Sequence, residues 1–266
     1  MKKAFTKALV VDNDFYFVEF LTELLEERGY KVIKAYDGKE GISKLEEETI
    51  DILLVDLLMP KIDGRQMIRF VRSKFSERPL PIIALSEVLA EQIKGLNEIE
   101  VDYLVTKAPV EKMTEQINML LDKIEKQPIP SPMDKRIYQP DELVPRQASE
   151  ELIKAADFYQ AVVEGVAMGL IVLDKDTSII CVNTLALKII NRPYEDVLNR
   201  KIISLFPYEE SARVLQALKR IRQNPDGGKA DIIVISDSGT IRLAISILNV
   251  VNEMAGWILG IDSLDM

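Results

Sequence analysis

Five short apolar runs, each closed by a polar residue and each followed by a stretch of helical periodicity, leave the first half of this chain few folds to adopt. The runs at 8–11, 52–55 and 81–85 are continuously apolar, and those at 32–35 and 103–106 nearly so. Such runs suit strands buried on both faces of a parallel sheet. Between them, apolar residues recur at helical spacing: Val18, Leu21, Leu24 and Leu25, then Ile42 and Leu45, then Met67, Ile68, Val71 and Phe75. Another helix is expected around 91–97, and Val110, Met113, Ile117, Leu120, Leu121 and Ile124 mark the last. Strands alternating with helices predict a doubly wound α/β domain with a five-stranded parallel sheet over residues 1–126.

In an open α/β sheet, chemistry gathers outside the carboxyl ends of the strands. Strands one, three, four and five present Asp12, Asp56, Ser86 and Lys107 there. Asp14 is placed to cap the first helix, Gly29 to stop it, and Asp37-Gly38 reads as a turn after the second strand. Asp56 is itself a poor helix cap, because Pro60 and Gly64 stand between it and a helix starting near Arg65. Neighbouring acidic groups bind Mg2+ through oxygen, and a carboxylate beside that metal can attack phosphorus and form an acyl phosphate. A lysine ammonium and a serine hydroxyl can hold the phosphoryl oxygens.

The absence of histidine removes several functions at once. Phosphohistidine relay, histidine acid–base catalysis and histidine-ligated haem or zinc are excluded in this polypeptide. The net charge of −9 is shared, with −5 over residues 1–126, −4 over 150–266 and a neutral segment between, so no basic domain is hidden in the total. That argues against a nucleic-acid-binding surface. No apolar run approaches the roughly 18 residues of a membrane span, and the run after Lys2 and Lys3 is too short for a signal peptide. One cysteine, Cys181, excludes an internal disulfide, and a cytoplasmic location is expected.

Residues 127–149 hold Pro128, Pro130, Pro132, Pro140 and Pro145, which predicts an extended linker. Ile137, Tyr138, Leu143 and Val144 within it could dock on a domain. A helix is expected from Ala148, with Ser149 as N-cap and Leu152, Ala156, Tyr159 and Val163 on one face. Strands follow at 170–173 and 179–182, joined by a turn at 174–176. Asn183 opens a short helical run, and Val214, Leu218 and Ile221 mark a longer helix. Three further strands, at 232–235, 241–250 and 257–261, complete the second domain, 150–266.

Val-Val-Asp-Asn-Asp, Asp-Leu-Leu-Met-Pro-Lys-Ile-Asp-Gly, Ile-Ile-Ala-Leu-Ser and a late lysine resemble the flavodoxin-like receiver domain of two-component response regulators. The resemblance implies that Asp56 is the phosphoacceptor, with a sensor histidine kinase as donor. It implies Mg2+ held by Asp12, Asn13, Asp56 and the Leu58 carbonyl, with Ser86 as switch hydroxyl and Lys107 as phosphate ligand. Asn13 stands where the family carries Asp or Glu, which removes one negative charge and implies weaker Mg2+ binding. Leu104 occupies the position of the aromatic switch, and Tyr103, one residue earlier, is expected to face the other side of the sheet. A cis X-Pro bond, if present, would be Ala108–Pro109. Leu58 and Val88 flank the expected path of the hydrolytic water, and both being apolar implies a long-lived phosphoaspartate.

Gly-Leu-Ile-Val-Leu-Asp, Cys-Val-Asn-Thr-Leu-Ala, Leu-Phe-Pro, Asp-Ser-Gly-Thr and Gly-Trp-Ile-Leu-Gly-Ile-Asp occur in the order of a PAS domain, over about 150–263. That implies an α+β fold on a five-stranded antiparallel sheet, and homodimerisation. The domain has no haem or flavin signature, and Cys181 and Trp257 read as packing residues. A small apolar ligand could lie between the hairpin face and the 183–206 section. The combined expectation is a non-enzymatic regulator that passes the state of Asp56 to a PAS module without DNA-binding output. The alternatives are a phosphate-independent scaffold, the N-terminal sensory part of a larger signalling protein, and a haloacid-dehalogenase-like phosphatase with Asp12 as nucleophile. The last leaves the Asp56 segment unexplained and lacks a late acidic pair.

Overall fold

The apolar runs of the first half form β1 (Lys7–Val11), β2 (Lys31–Ala35), β3 (Ile52–Asp56), β4 (Ile82–Ser86) and β5 (Tyr103–Thr106) in a computed structural model of the protein. The structure describes residues 6–77, 80–87, 100–126, 136–138, 147–223, 228–251 and 253–264. The chain divides into two units, Met1–Asp157 and Phe158–Met266. In the first, the strands are parallel and stand in the order β2-β1-β3-β4-β5. The four strands that end in candidate site residues are therefore consecutive neighbours. Every residue of β3, β4 and β5 is buried, as their continuous apolarity requires.

Four described helices cover this sheet: α1 (Phe15–Glu27), α2 (Gly38–Glu47), α3 (Gly64–Lys74) and α4 (Val110–Lys126). The helix expected at 91–97 lies outside the described residues. The apolar stripes of α1 and α4 meet Ala8, Val10, Leu54, Leu85, Tyr103 and Val105 in one core cluster. Full burial of one such side chain contributes about 1.5–3 kcal/mol. Polar ties fix the helix positions. Arg28, after α1, donates to the Asn118 side chain (2.9 Å) and pairs with Asp122 on α4. Arg72 on α3 pairs with Asp102 at 2.8 Å, and the same carboxylate accepts from the Ile82 amide at the start of β4. Asp37, expected as part of a turn, instead caps α2 by accepting from the Glu40 amide.

One element was not anticipated. Arg136–Tyr138 form β6, a sixth strand parallel to β5 with Tyr103, Leu104 and Val105 opposite Arg136, Ile137 and Tyr138. Its place between Pro132 and Pro140 limits it to a few residues, since proline cannot donate to the ladder. The segment expected to be an extended linker thus returns to the sheet at this point.

Helix α5 (Gln147–Gly165) begins two residues before Ser149, so Ser149 lies inside it and is not its cap. The second unit carries β7 (Gly169–Asp174), β8 (Ile179–Val182), β9 (Lys229–Ser236), β10 (Gly239–Val250) and β11 (Glu253–Ser263). They form one antiparallel sheet in the order β8-β7-β11-β10-β9. Between β8 and β9 lie α6 (Thr184–Ile190), two short 3-10 turns and α7 (Tyr208–Arg222). Asn183 caps α6 by accepting from the Ala186 amide, and its amide nitrogen donates to the Val163 and Met168 carbonyls. Asp174 closes the β7–β8 turn by accepting from the Asp176 and Ser178 amides. Ile171, Leu173, Leu243, Ile245, Trp257 and Leu259 are buried in the core of this unit, which places Trp257 in packing as expected, while Cys181 is half-buried.

Candidate functional site

Asp12 directly follows β1, Asp56 and Ser86 end β3 and β4, and Lys107 directly follows β5. All four come to the carboxyl edge of the sheet because the strands are parallel and adjacent. Asp12 and Ser86 are wholly buried, and Asp56 is 4% exposed. The Lys107 ammonium lies 2.7 Å from Asp12 Oδ2 and 3.4 Å from Asp56 Oδ1. Its backbone amide donates to the Ser86 carbonyl at 2.7 Å, which holds the residue after β5 against the end of β4. The other Asp12 oxygen accepts from the Asp14 amide at 2.9 Å. Asp14 in turn caps α1 by accepting from the Tyr16 and Phe17 amides.

The helix after the Asp56 loop does not use that carboxylate as its cap. The cap of α3 is Asp63, seven residues on, in a reciprocal capping box with Gln66. Gly64 is required where it stands, since a Cβ there would overlap the Asp56 carbonyl oxygen. Leu57 donates to the Leu85 carbonyl at 3.0 Å, and Met59 and Ile62 are buried beneath the loop. Leu58 is half-buried, and its backbone hydrogen-bonds the Asp56 carboxylate.

Electrostatically the pocket holds two buried carboxylates against one ammonium. Burial pushes the Asp56 carboxyl up, to about 7; Lys107 opposes this, and the Asp12 carboxylate adds to it. Lys107 shifts upward despite its own burial, because Asp56 and Asp12 both favour the charged amine. Apart from that ammonium, Asp12 Oδ2 and Asp56 Oδ1 have no hydrogen-bond partner among the described residues. Two anionic oxygens so placed fit a hard cation. Asn13 is exposed beside them. Among the described residues no three acidic, histidine or cysteine side chains cluster as a metal site.

The remaining sequence candidates divide. Leu104 is buried in β5, and Tyr103 joins the α1–α4 side of the core, so the two face opposite ways as expected. No cis peptide occurs among the described residues, so Ala108–Pro109 is trans. Val88 lies outside the described residues. Sequence reasoning passed over Phe17, whose ring centroid is 4.6 Å from the Lys107 ammonium. It also passed over Asp63, although Asp-x-x-Gln before an apolar pattern is a capping-box signal.

Comparison with known proteins assigns both halves. Residues 8–118 match the response regulator receiver domain family, and 157–261 match the PAS fold. A curated relative, the response regulator ArlR of Staphylococcus saprophyticus, is 31% identical over 116 residues, covering 44% of this chain and 52% of its own. The chain thus spans about half the length of that relative. Among solved structures, a Francisella response regulator receiver domain is similar at 26% identity and a TM-score of 0.39, covering 44% of this chain and 98% of its own. A PAS domain from Colwellia psychrerythraea is similar at 14% identity and a TM-score of 0.36, covering 42% and 97%.

Proposed function

Because this chain carries a response regulator receiver domain followed by a PAS domain, we propose that it is a two-component regulator that accepts a phosphoryl group on Asp56 and reports it to its PAS module. The observation that carries this reading is the lysine ammonium set between two buried carboxylates at one sheet edge. Receiver domains are phosphorylated by sensor histidine kinases, so the donor is a phosphohistidine. An Asp56 oxygen attacks phosphorus, the P–N bond breaks, and the imidazole leaves with the electron pair, neutral once its other ring nitrogen carries a proton. Asp12, Asp56, the Asn13 amide oxygen and the Leu58 carbonyl would hold Mg2+, which when bound neutralises charge on the transferring group. Lys107 then turns from the carboxylates to the phosphoryl oxygens, and Ser86, one strand away, supplies a hydroxyl. Phosphorylation adds nearly two negative charges to the pocket.

Several features support the wider reading. The acidic balance of both domains speaks for a protein partner and against nucleic acid. Among the described residues no helix is long and apolar enough to cross a membrane. Homodimerisation is supported by α5, where Leu152, Tyr159 and Val162 are exposed at heptad spacing. Domain limits of 1–126 and 150–266, and the absence of enzymatic chemistry beyond phosphoryl acceptance, belong to the same reading. A buried Leu104 in place of a mobile aromatic favours one rival, a phosphate-independent scaffold.

Acetyl phosphate labelling with Mg2+, followed by mapping of the modified residue, separates these. Label on Asp56, lost in Asp56→Asn, is expected. Label on Asp12 would point to a dehalogenase-like phosphatase, and no label to the scaffold.

A further inference from the structure

Lys107 has a neighbour that neither carboxylate chemistry nor the family assignment explains. Its ammonium lies 4.6 Å from the centroid of the Phe17 ring, while Asp12 and Asp56 engage it at 2.7 and 3.4 Å. We propose that Phe17 is a positioning residue, whose π face holds the Lys107 ammonium in the pocket, pre-set to meet the phosphoryl group.

The ring is itself fixed. Phe17 is the third residue of α1, and its amide is held at the helix cap by Asp14, whose own amide holds Asp12. The ring packs against Phe20 with centroids 5.7 Å apart, and both lie against the α1–α4 core. One short segment therefore places the acid, the cap and the aromatic face together. The Lys107 side chain is only 14% exposed, so little water competes for its charge.

A lysine side chain has four rotatable bonds, and ordering it as the phosphoryl group arrives would slow transfer. An aromatic face attracts the ammonium through its quadrupole, more strongly where water is excluded. An aliphatic side chain would fill the same space without that attraction. The ring thus orders the ammonium beforehand.

The lysine's meeting a phosphoryl group rests on the reading above, whereas its being held by Phe17 does not. The test uses the full chain with Phe17→Leu, Phe17→Tyr and pentafluorophenylalanine at position 17, which keeps the ring's outline but removes its negative face. Two quantities are read: the acetyl phosphate labelling rate with Mg2+, and the proton NMR shift of the Lys107 ε-methylene. Leu and the fluorinated ring are expected to label about three- to thirtyfold more slowly, the range set by cation–π attractions, with Tyr restoring the wild-type rate. Unchanged hydrogen exchange in β1, β3 and β5 shows the fold intact. Wild-type labelling rates in both Leu and fluorinated variants overturn the proposal. If the wild-type chain takes no label, the phosphoacceptor reading fails by itself. The methylene shift then decides: an upfield shift in wild type that is lost in Phe17→Leu sustains the contact, and its absence refutes it.

Discussion

Above neutral pH, replacing Asp56 by asparagine should make the receiver more stable, by an amount that depends on pH. Asp56 shares one ammonium with Asp12, and both carboxylates are buried. Its carboxyl is raised from the ordinary 3.8 to about 7, chiefly by burial. Between those values the folded chain holds a proton that the unfolded chain has released, so the stability contributed by the neutral carboxyl is present below about 4 and is lost as pH rises through 7. At about 1.4 kcal/mol per pH unit, the ionised group costs at most about 4 kcal/mol at pH 8. Asparagine avoids that cost and keeps an oxygen for the Leu58 backbone, although burying its NH2 returns about 1–3 kcal/mol. A net gain of about 1–3 kcal/mol at pH 8 follows, or roughly 4–12 °C in Tm for a domain of this size. At pH 5 the gain should fall to less than half or reverse, and below about pH 4 the variant should be the less stable of the two by about 1–3 kcal/mol. Calorimetry of the full chain gives the transitions, and hydrogen exchange of β3 amides identifies the receiver's. An Asp56→Asn variant no more stable at pH 8, or equally stabilised at pH 8 and pH 5, would refute the reasoning.

Other substitutions test the same site from different sides. Lys107→Met leaves Asp12 and Asp56 without their cation and should cost about 3–5 kcal/mol at neutral pH, read as a lower urea midpoint; an unchanged midpoint would show the ion pairs to be idle. Asp63→Ala removes the capping box of α3 and should cost about 1 kcal/mol in the same assay, and no loss would mean the helix needs no cap. Gly64→Ala should destabilise the receiver by roughly 1–3 kcal/mol and slow labelling of Asp56, because the new methyl meets the Asp56 carbonyl. Leu58→Asn should shorten the life of the acyl phosphate by admitting a polar group beside it, and an unchanged decay rate would show that Leu58 does not tune hydrolysis.

The fold was largely legible because burial on both faces writes itself into sequence. The five parallel strands lie within a residue or two of their apolar runs, and Asp56 could be placed from the run before it and the Pro and Gly after it. What escaped depended on partners distant in sequence. Nothing near Phe17 says that its ring will face a lysine at the end of β5. Asp37 looked like a turn residue because Asp-Gly serves turns and helix starts alike, and only the Glu40 amide decides between them. Ile137 and Tyr138 could be suspected of docking, but a strand of three residues set between prolines has no periodicity to read.

That short strand has a mechanical consequence. Because β6 runs parallel to β5, the chain leaves the sheet at the same rim that carries Asp12, Asp56, Ser86 and Lys107. A pull on Tyr138 along the strand direction would load the β5–β6 ladder in shear, so that its few hydrogen bonds share the load. That grip lies one residue from the lysine, since Thr106 alone separates Val105, opposite Tyr138, from Lys107.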